Sequence, residues 1–368
     1  MVGLAQKQRL SVVSRRQFVG ERRYPLLVTF DCYSVRSFYT IRQEITRKLD
    51  QAETARTGAK LRKSCACRPP SDPPGWIARA RARLSALEGP KSRHHVGHCI
   101  AFHHSVPSTM PIARGIFDER GDSAAGAVVI ADHQTAGRGR LDRGWEDASG
   151  RGLLGSYILC GELLPEHPSL AVMLAGLALL RAIGESCPDL EDRVRLKWPN
   201  DVIAVEAEGP VKLAGILVES IFQEQKLSGV IVGIGVNVNQ RQEELPSIRG
   251  GGLPPSSLML LGHGVDPPNG DSSPFEREHL LVALCRALDD LCAPGSRPAA
   301  SAVHADWQGA LFGMGAVVTA HTADGPIRGR AVGTSSQGAL RIGTGGGKTL
   351  EIHSGVVDFD WATVGGER

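Results

Sequence analysis

The feature of this chain that points most clearly to a particular chemistry is a short segment rich in glycine and arginine. Residues Ala131–Trp145 include three glycines and three arginines, namely Gly137, Gly139, Gly144, Arg138, Arg140 and Arg143. Glycine lets backbone N–H groups approach a ligand closely, and a guanidinium group binds carboxylate or phosphate through paired hydrogen bonds. The spacing therefore predicts an anion-binding loop, with a solvated basic turn as the alternative. It is not a P-loop, because no Gly-Lys-Ser/Thr follows at the required spacing.

Three further motifs follow this loop along the chain. They are Leu196–Val202 (Leu-Lys-Trp-Pro-Asn-Asp-Val), Lys212–Glu219 (Lys-Leu-Ala-Gly-Ile-Leu-Val-Glu) and Val230–Asn239 (Val-Ile-Val-Gly-Ile-Gly-Val-Asn-Val-Asn). Together, and in this order, the four segments resemble the biotin protein ligases, and the resemblance covers roughly Val106–Val357. It implies an α/β (α+β) catalytic core with a mixed sheet and packed helices, similar to class II aminoacyl-tRNA synthetases, and an SH3-like β-barrel after it.

The resemblance also implies a two-step reaction. Such an enzyme, an ATP-dependent and AMP-forming biotin–[acetyl-CoA-carboxylase] ligase, joins biotin and ATP into biotinyl-5′-AMP and pyrophosphate. It then transfers biotin to a lysine of a biotin carboxyl carrier domain. The first step brings a carboxylate to a phosphate, so the main requirement is positive charge held at the reacting atoms. ATP and biotin are thus the expected substrates, together with Mg²⁺.

The resemblance assigns roles to individual residues. Lys212 is the leading catalytic candidate, with Arg138 and Arg140 as clamps for carboxylate and phosphate; a solvated lysine at a strand end is the alternative for Lys212. The biotin-binding set is Ser108, Thr109, Gln134, Gly137, Arg138, Gly139, Arg140, Lys212 and Gly215. The ATP-binding set is Arg140, Arg143, Trp145, Lys197, Asn200, Asp201, Lys212 and Asn237. Asp201 also offers the hard oxygen ligands that Mg²⁺ prefers.

Three positions in these sets leave alternatives open or depart from the pattern. Trp145 is expected to stack on the nucleotide, with core packing as the alternative. Asn237 is expected to hydrogen-bond the nucleotide, with a structural turn as the alternative. The family usually has Asn after its Ser-Thr pair, whereas this chain has Met110.

The surrounding elements follow from hydrophobic patterning. Buried strands are predicted on either side of the basic loop, at Gly126–Ala131 and Gly152–Cys160. A helix is predicted at Leu170–Ser186, and because apolar residues occupy nearly all of its faces it should be buried against a sheet. Further helices are predicted at 112–120 and 276–291, and further strands at 202–205, 213–221 and 227–236. Short strands at 316–320, 328–334, 339–342 and 350–352, separated by glycine turns, favour a small β-barrel.

The charge of the chain divides it into unlike parts. The net charge is +3 overall, but it is +13 over residues 1–96 and −10 over the remainder. The predicted domains are a basic extension (1–96, disordered or outside the core, with a helix at 77–87), a catalytic domain (97–311) and the barrel (312–368). Some biotin ligases carry an N-terminal winged helix; the extension lacks that pattern, so no specific DNA binding is expected.

Cysteine and hydropathy patterns suggest the compartment. Eight scattered cysteines favour reduced thiols and a cytoplasmic protein rather than a disulfide framework. Cys65 and Cys67, and the histidines between His94 and His104, are more plausibly structural than metal-binding. The longest apolar run, Ser169–Ile183, is too short for a membrane span and contains Arg181. A homodimer through the core sheet is possible in this family.

Other functions remain open at this point. A lipoate ligase shares a related catalytic fold, although the Gly-Arg-Gly-Arg and Lys-Trp-Pro-Asn-Asp sequences favour biotin. A biotin-sensing DNA-binding repressor would require an N-terminal winged helix. A third alternative is a protein that binds the adenylate without transferring biotin.

Overall fold

The computed structural model of the protein describes residues 73–87, 95–140, 143–247, 252–263 and 275–364. All of these residues belong to one compact unit, Cys67–Arg368. The expectations about residues 1–72, including the winged helix and the Cys65–Cys67 pair, lie outside the described residues. The first described helix, α1, spans Gly75–Ala86, and the expected helix at 77–87 is therefore confirmed.

A seven-stranded sheet forms the centre of the catalytic part. Its strands are β1 (Ile100–Val106), β2 (Val128–Gln134), β5 (Leu153–Cys160), β6 (Val194–Lys197), β7 (Asp201–Glu206), β8 (Gly209–Gln223) and β9 (Lys226–Val236), and a short ribbon of β3 (Gly137–Arg138) and β4 (Gly144–Trp145) stands apart. The order is β1-β2-β5-β9-β8-β7-β6. Only β1 and β2 pair in parallel within this sheet, and the other neighbours are antiparallel, so the expected mixed sheet is confirmed.

Helices cover both faces of this sheet. The helices that follow α1 are α2 (Thr109–Arg120), α3 (Pro168–Ser186), α4 (Leu258–His263), α5 (Arg277–Cys292) and α6 (Ala300–Gly309). Side chains alternate across a strand, and accordingly Val128 and Ile130 of β2 join the core cluster under α3 and α5, whereas Val129 joins the cluster under α2. The sheet is therefore buried on both faces.

The apolar helix α3 is the centre of the larger core cluster. Eleven of its residues are buried, which confirms the expectation of a helix packed against the sheet. Among the described helices it alone is long and apolar enough to span a membrane, and about two thirds of its apolar window is buried inside the protein. Its hydrophobicity is therefore explained by core packing.

Helix α1 corrects the predicted domain boundary. Ile77, Ala80 and Leu84 are fully or almost fully buried in the same cluster as α5. Arg79 and Arg83 form ion pairs with Glu278 of α5, whose side chain is only 1 % exposed. The catalytic core thus begins no later than Gly75, and the boundary expected at residue 97 is wrong. The basic composition concealed the packing of this helix on the core, because two of its half-exposed arginines pair with the buried Glu278.

The C-terminal part is a five-stranded antiparallel sheet. Its strands are β10 (Val317–Thr322), β11 (Gly325–Thr334), β12 (Leu340–Gly343), β13 (Thr349–Ile352) and β14 (Val356–Phe359), in the order β13-β12-β11-β10-β14. The first four were expected from their glycine turns, and the small antiparallel domain is confirmed. β14 was not anticipated. It pairs with β10, and the ring of its Phe359 lies 5.8 Å from Nζ of Lys197 in the catalytic part.

The described cysteines fall into two groups. Cys160, Cys187, Cys285 and Cys292 are buried free thiols, as expected. Cys99 is disulfide-bonded, so the expectation of reduced thiols does not hold for it. Burial raises the pKa of Cys160, Cys187 and Cys292 to about 12 in each case, which makes these thiols poor nucleophiles.

Candidate active site

The basic loop and the three later motifs meet at two adjoining cavities. The smaller has a volume of about 160 Å³ and the larger about 1160 Å³. Most predicted site residues line the smaller cavity: Ser108, Thr109, Gln134, Arg138, Gly139, Arg140, Arg143, Trp145, Lys197, Asn200, Asp201, Lys212 and Gly215. Gly137 lines neither cavity, and Asn237 lines only the larger one. Residues separated by more than a hundred positions are thus brought to one place.

The basic loop is a β-ribbon rather than an open turn. Gly137 pairs with Trp145, and Arg138 pairs with Gly144. A Cβ atom on Gly137 would lie 2.4 Å from the carbonyl oxygen of Trp145, so this close pairing requires glycine. Leu141 and Asp142, at the tip, lie outside the described residues.

Lys212 and Asp201 form an ion pair within the site. Lys212 Nζ lies 2.7 Å from Asp201 Oδ1, and both side chains are partly exposed to the cavities. Lys212 is on β8 and Asp201 begins β7, and these two strands are antiparallel neighbours. The backbone N–H of Lys212 donates to Pro254 O at 2.8 Å, which ties the strand to the loop beside it. The ammonium group is therefore presented from a rigid element.

Arg140 connects the catalytic sheet with the C-terminal domain. Its Nη1 donates to Asn200 Oδ1 at 3.3 Å, and its Nη2 donates to Ser354 Oγ at 3.2 Å. Asn200 is fixed in turn, because its Nδ2 donates to Ile216 O at 2.6 Å. Burial lowers the pKa of Arg140, and Asp201 opposes this effect. An arginine nevertheless remains charged at any physiological pH, so Arg140 supplies a fixed positive charge.

Arg138 points to a different partner. Its Nη2 lies 2.9 Å from Glu219 Oε1 on β8, and both side chains are more than one-third exposed. An exposed pair of this kind contributes little to stability. A ligand carboxylate or phosphate can therefore compete with Glu219 for this guanidinium at small cost.

Lys197 is the most deeply buried cation of the site. It is 7 % exposed, and its Nζ lies 5.8 Å from the ring centroid of Phe359 on β14. Burial lowers the pKa of Lys197, while Asp201 and Asp358 raise it. A buried ammonium group without its full hydration is well suited to bind a phosphate that replaces the lost water.

The polar residues expected to bind biotin are already connected to one another. The backbone N–H of Thr109 donates to Gln134 Oε1 at 2.8 Å, and Thr109 Oγ1 lies 2.7 Å from Ser156 Oγ. Ser108 caps α2, its side chain accepting from the N–H of Met110 at 3.4 Å. These bonds fix the orientation of Thr109 and Gln134 before any ligand arrives.

Trp145 packs closely against the sheet and lines both cavities. A Cβ atom at Gly235 would lie 2.7 Å from Trp145 Cε2, and one at Gly215 would lie 3.1 Å from Cζ3. Only glycine at these two positions allows the indole to approach so closely. The ring thus packs on the protein while leaving part of its surface to the cavities, and the roles of stacking and packing are compatible here.

Asn237 is held by protein groups. It is 4 % exposed, its Nδ2 donates to Ser256 O at 3.0 Å, and its Oδ1 accepts from Gln240 Nε2 at 3.3 Å. This arrangement corresponds to the structural alternative, since both ends of the amide already have protein partners.

Several residues near the site were not anticipated. Asp147 accepts from the N–H of Gln134 at 3.4 Å and lies 3.1 Å from His133 Nδ1, and its side chain is fully buried. Burial raises the pKa of Asp147, although its bonds to His133 and Gln134 oppose the rise. Ser156 and Ser354 were missed because neither belongs to a motif. Met110 stood out only as a departure from the family pattern.

No cluster of three potential metal ligands exists among the described residues, including the histidines from His95 to His104. Asp201 is thus a single carboxylate rather than part of a preformed metal cage. Such a site is compatible with Mg²⁺ only when a substrate supplies further oxygen ligands, as ATP phosphates do in many enzymes.

Comparisons with known proteins agree with this geometry. Residues 105–237 match the model of the biotin/lipoate A/B protein ligase family, and residues 315–360 match the biotin protein ligase C-terminal domain. The chain is 28 % identical over 278 residues to the bifunctional ligase/repressor BirA of Bacillus subtilis, covering 74 % of this chain and 77 % of that protein. It is 32 % identical over 237 residues to a biotin–[acetyl-CoA-carboxylase] ligase of Mycobacterium tuberculosis, covering 63 % of this chain and 78 % of that protein. A solved biotin protein ligase from Aquifex aeolicus, in complex with biotin and ATP, is similar with a TM-score of 0.51 and 27 % identity, covering 71 % of this chain and 98 % of that one.

Proposed function

This chain belongs to the biotin protein ligase family, and from that premise we propose that its two cavities activate biotin with ATP and transfer it to a lysine of a carrier domain. The observation that carries the proposal is the group of cations around the smaller cavity. Lys212, Arg140 and Lys197 all line it. Biotin brings a carboxylate and ATP brings phosphates, so a site for both must neutralise several negative charges at once.

The first step needs no nucleophile from the protein. A carboxylate oxygen of biotin attacks the α-phosphorus of ATP, and the bond from that phosphorus to the pyrophosphate oxygen breaks. Lys212 and Arg140 reduce the repulsion between the carboxylate and the phosphate, and Arg138 exchanges Glu219 for the incoming anion. Lys197 binds the phosphates on the side of the larger cavity. The contribution of these cations is positioning and electrostatic stabilisation.

In the second step the carrier lysine attacks the carbonyl carbon of biotinyl-5′-AMP. An amide bond forms, AMP leaves with the electron pair of the anhydride bond, and the attacking amine loses one proton. The positive charges that stabilised the first transition state also stabilise the departing phosphate of AMP. The mixed anhydride is prone to hydrolysis, so the ribbon that carries Arg138 and Arg140 has a second role in excluding water.

Mg²⁺ fits this site only together with ATP. Asp201 is the one predicted ligand, and it already pairs with Lys212. We propose that Asp201 would hold the ion together with the phosphate groups of bound ATP. When bound, the ion would add positive charge at the phosphates.

The other functions receive less support. A lipoate ligase does not account for the match of residues 315–360 to the biotin protein ligase C-terminal domain. A DNA-binding repressor would need a winged helix, and the elements of the described residues belong to the catalytic and C-terminal parts instead. The proposal is therefore a ligase, with a biotin carboxyl carrier domain as its protein substrate.

The test is labelling of a purified biotin carboxyl carrier domain by the full chain with biotin, ATP and Mg²⁺. We expect labelling that depends on all three, and its loss in Lys212→Ala. Lys226→Ala is the matched control, because Lys226 is exposed on β9 and lines neither cavity. Absence of labelling by the unmodified chain, despite binding of biotin and ATP, would disprove the transfer step.

A further inference from the structure

Met110 occupies an unusual place in the smaller cavity. It is the second residue of α2, is 4 % exposed, and lines the cavity beside Thr109. Its Sδ atom would lie only 2.8 Å from a Cβ atom at Gly233 of β9. The thioether is therefore seated directly on the backbone of the sheet, in space that a side chain at Gly233 would fill.

The sheet beneath Met110 changes from polar to apolar over three strands. Ser156 of β5 pairs with Gly233 of β9, and Gly233 pairs with Leu217 of β8. Directly paired residues lie on the same face of a sheet. Ser156 is bonded to Thr109, whereas Gly233 lies under Met110 and Leu217 lines the cavity beyond. Of these three paired positions, only Ser156 carries a hydrogen-bonding side chain.

The fused ring system of biotin is likewise divided into a polar part and an apolar part. Its ureido ring carries two N–H donors and a carbonyl acceptor, and its thiolane ring carries only carbon and a thioether sulfur. Burying a polar group without a partner is costly, so the ureido ring belongs at the side of Thr109 and Gln134. The thiolane ring then lies against Met110 and Leu217. A methionine side chain is unbranched and polarisable, and it packs well against such a surface.

We propose that Met110 is a specificity-determining residue, whose thioether forms the apolar wall against the thiolane ring and rejects ligands with polar atoms on that ring. The inference rests on the proposed function, because it takes biotin as the ligand. It concerns a position where the family resemblance leads one to expect the amide of Asn, which would offer both donor and acceptor groups at the same place. This chain should therefore discriminate more strongly against biotin that is oxidised at the ring sulfur than a chain with an amide at position 110.

Biotin sulfone is the informative probe. It keeps the ureido ring and the valerate chain of biotin, but it carries two oxygen atoms on the ring sulfur. In the unmodified protein those oxygens would face Met110 and lose their hydrogen bonds to water. We expect the full chain to bind biotin more tightly than the sulfone, by about tenfold or more.

Variants at this position separate recognition from folding. Met110→Asn should reduce the ratio of the two dissociation constants by about tenfold, because its amide can donate to the sulfone oxygens. Met110→Leu keeps an apolar side chain of similar volume and should keep the ratio. Met110→Ala opens the wall to water and should also reduce the ratio, which provides a second test if the Asn variant folds poorly. Met173→Ala removes a buried methionine of α3 that lines neither cavity, so it should lower the melting temperature without changing the ratio.

Titration calorimetry of both ligands, with each full-length variant, decides the matter. Equal ratios in the unmodified protein, Met110→Asn and Met110→Ala would overturn this inference while leaving biotin binding, and the proposed function, intact. Failure of the unmodified protein to bind biotin at all would overturn the proposed function and this inference with it. A change of ratio in Met173→Ala equal to that in Met110→Ala would assign the effect to general loosening and would also overturn it.

Discussion

Lys212 Nζ lies 2.7 Å from Asp201 Oδ1 at the border between the two cavities. The pair therefore brings into contact the two residues with the most important predicted roles, the catalytic cation Lys212 and the Mg²⁺ ligand Asp201. Removing one member of such a pair leaves the other without its charge partner. The carboxylate therefore has two separable roles, which are to orient Lys212 and to hold a metal ion.

The substitution Asp201→Asn tests these two roles. It keeps the shape of the side chain but removes its charge, so Lys212 loses its anionic partner. We expect the rate of pyrophosphate release to fall by about tenfold or more, since an electrostatic contact in a transition state contributes at least that much. If Asp201 also holds Mg²⁺, the concentration of Mg²⁺ needed for half-maximal rate will rise. Asp324→Asn, in an exposed turn of the C-terminal domain, is the control. A lower rate with an unchanged Mg²⁺ requirement would leave Asp201 only the first role.

A second prediction concerns Lys197 and alkaline pH. Burial lowers the pKa of this lysine below its ordinary 10.5. Only the protonated ammonium attracts phosphate, so affinity for ATP should fall as the pH rises through this lowered pKa. Lys197→Arg should extend ATP binding to higher pH, because a guanidinium stays protonated. The measurement is the KM for ATP against pH for both proteins. Identical alkaline limbs in the two profiles would contradict a role for Lys197 in binding phosphate.

Ser354 provides a third prediction. Its hydroxyl accepts from Arg140 Nη2 at 3.2 Å and is the contact by which the C-terminal domain reaches this arginine. In Ser354→Ala, Arg140 keeps Asn200 but loses this second anchor. We expect kcat/KM for ATP to fall by about fivefold, which corresponds to roughly 1 kcal/mol for one exposed hydrogen bond to a charged donor. Ser336→Ala removes an exposed hydroxyl of the same domain that lines neither cavity, and this substitution should have no effect. A Ser354→Ala enzyme as active as Ser336→Ala would show that the contact does not position Arg140.

The sequence was most informative where local residue types determine local structure. The Gly-Arg segment predicted a loop between two strands, and the structure has a ribbon between β2 and β5. Helix α3 was predicted from the apolar residues that cover almost its whole surface. These features depend on neighbours in the chain, so they are visible without tertiary information.

The features that were missed depend on distant partners. β1 contains His103, His104 and Ser105, which hide its strand pattern, and it is stabilised by parallel pairing with β2. β14 is too short to be evident before its pairing with β10 is known. Ser354 lies 214 positions from Arg140, and no residue pattern near either one indicates the other.

Helix α1 gives the last prediction, which concerns where the folded enzyme begins. Ile77 and Leu84 are buried against the core that includes α5, and Arg83 Nε lies 3.0 Å from Glu278 Oε1. Burial of two large aliphatic side chains contributes about 1.5–3 kcal/mol each, against a total stability of about 5–15 kcal/mol for a typical domain. Removing residues 1–96 should therefore lower the melting temperature markedly and reduce carrier labelling, whereas removing residues 1–72, which keeps α1, should lower the melting temperature much less and preserve labelling. Leu84→Ala in the full chain should cost about 2–5 kcal/mol on its own, and Ser85→Ala, at an exposed neighbouring position, should cost almost nothing. Equal melting temperatures for the two truncated proteins would show that α1 is dispensable to the fold, and the boundary would then return to residue 97.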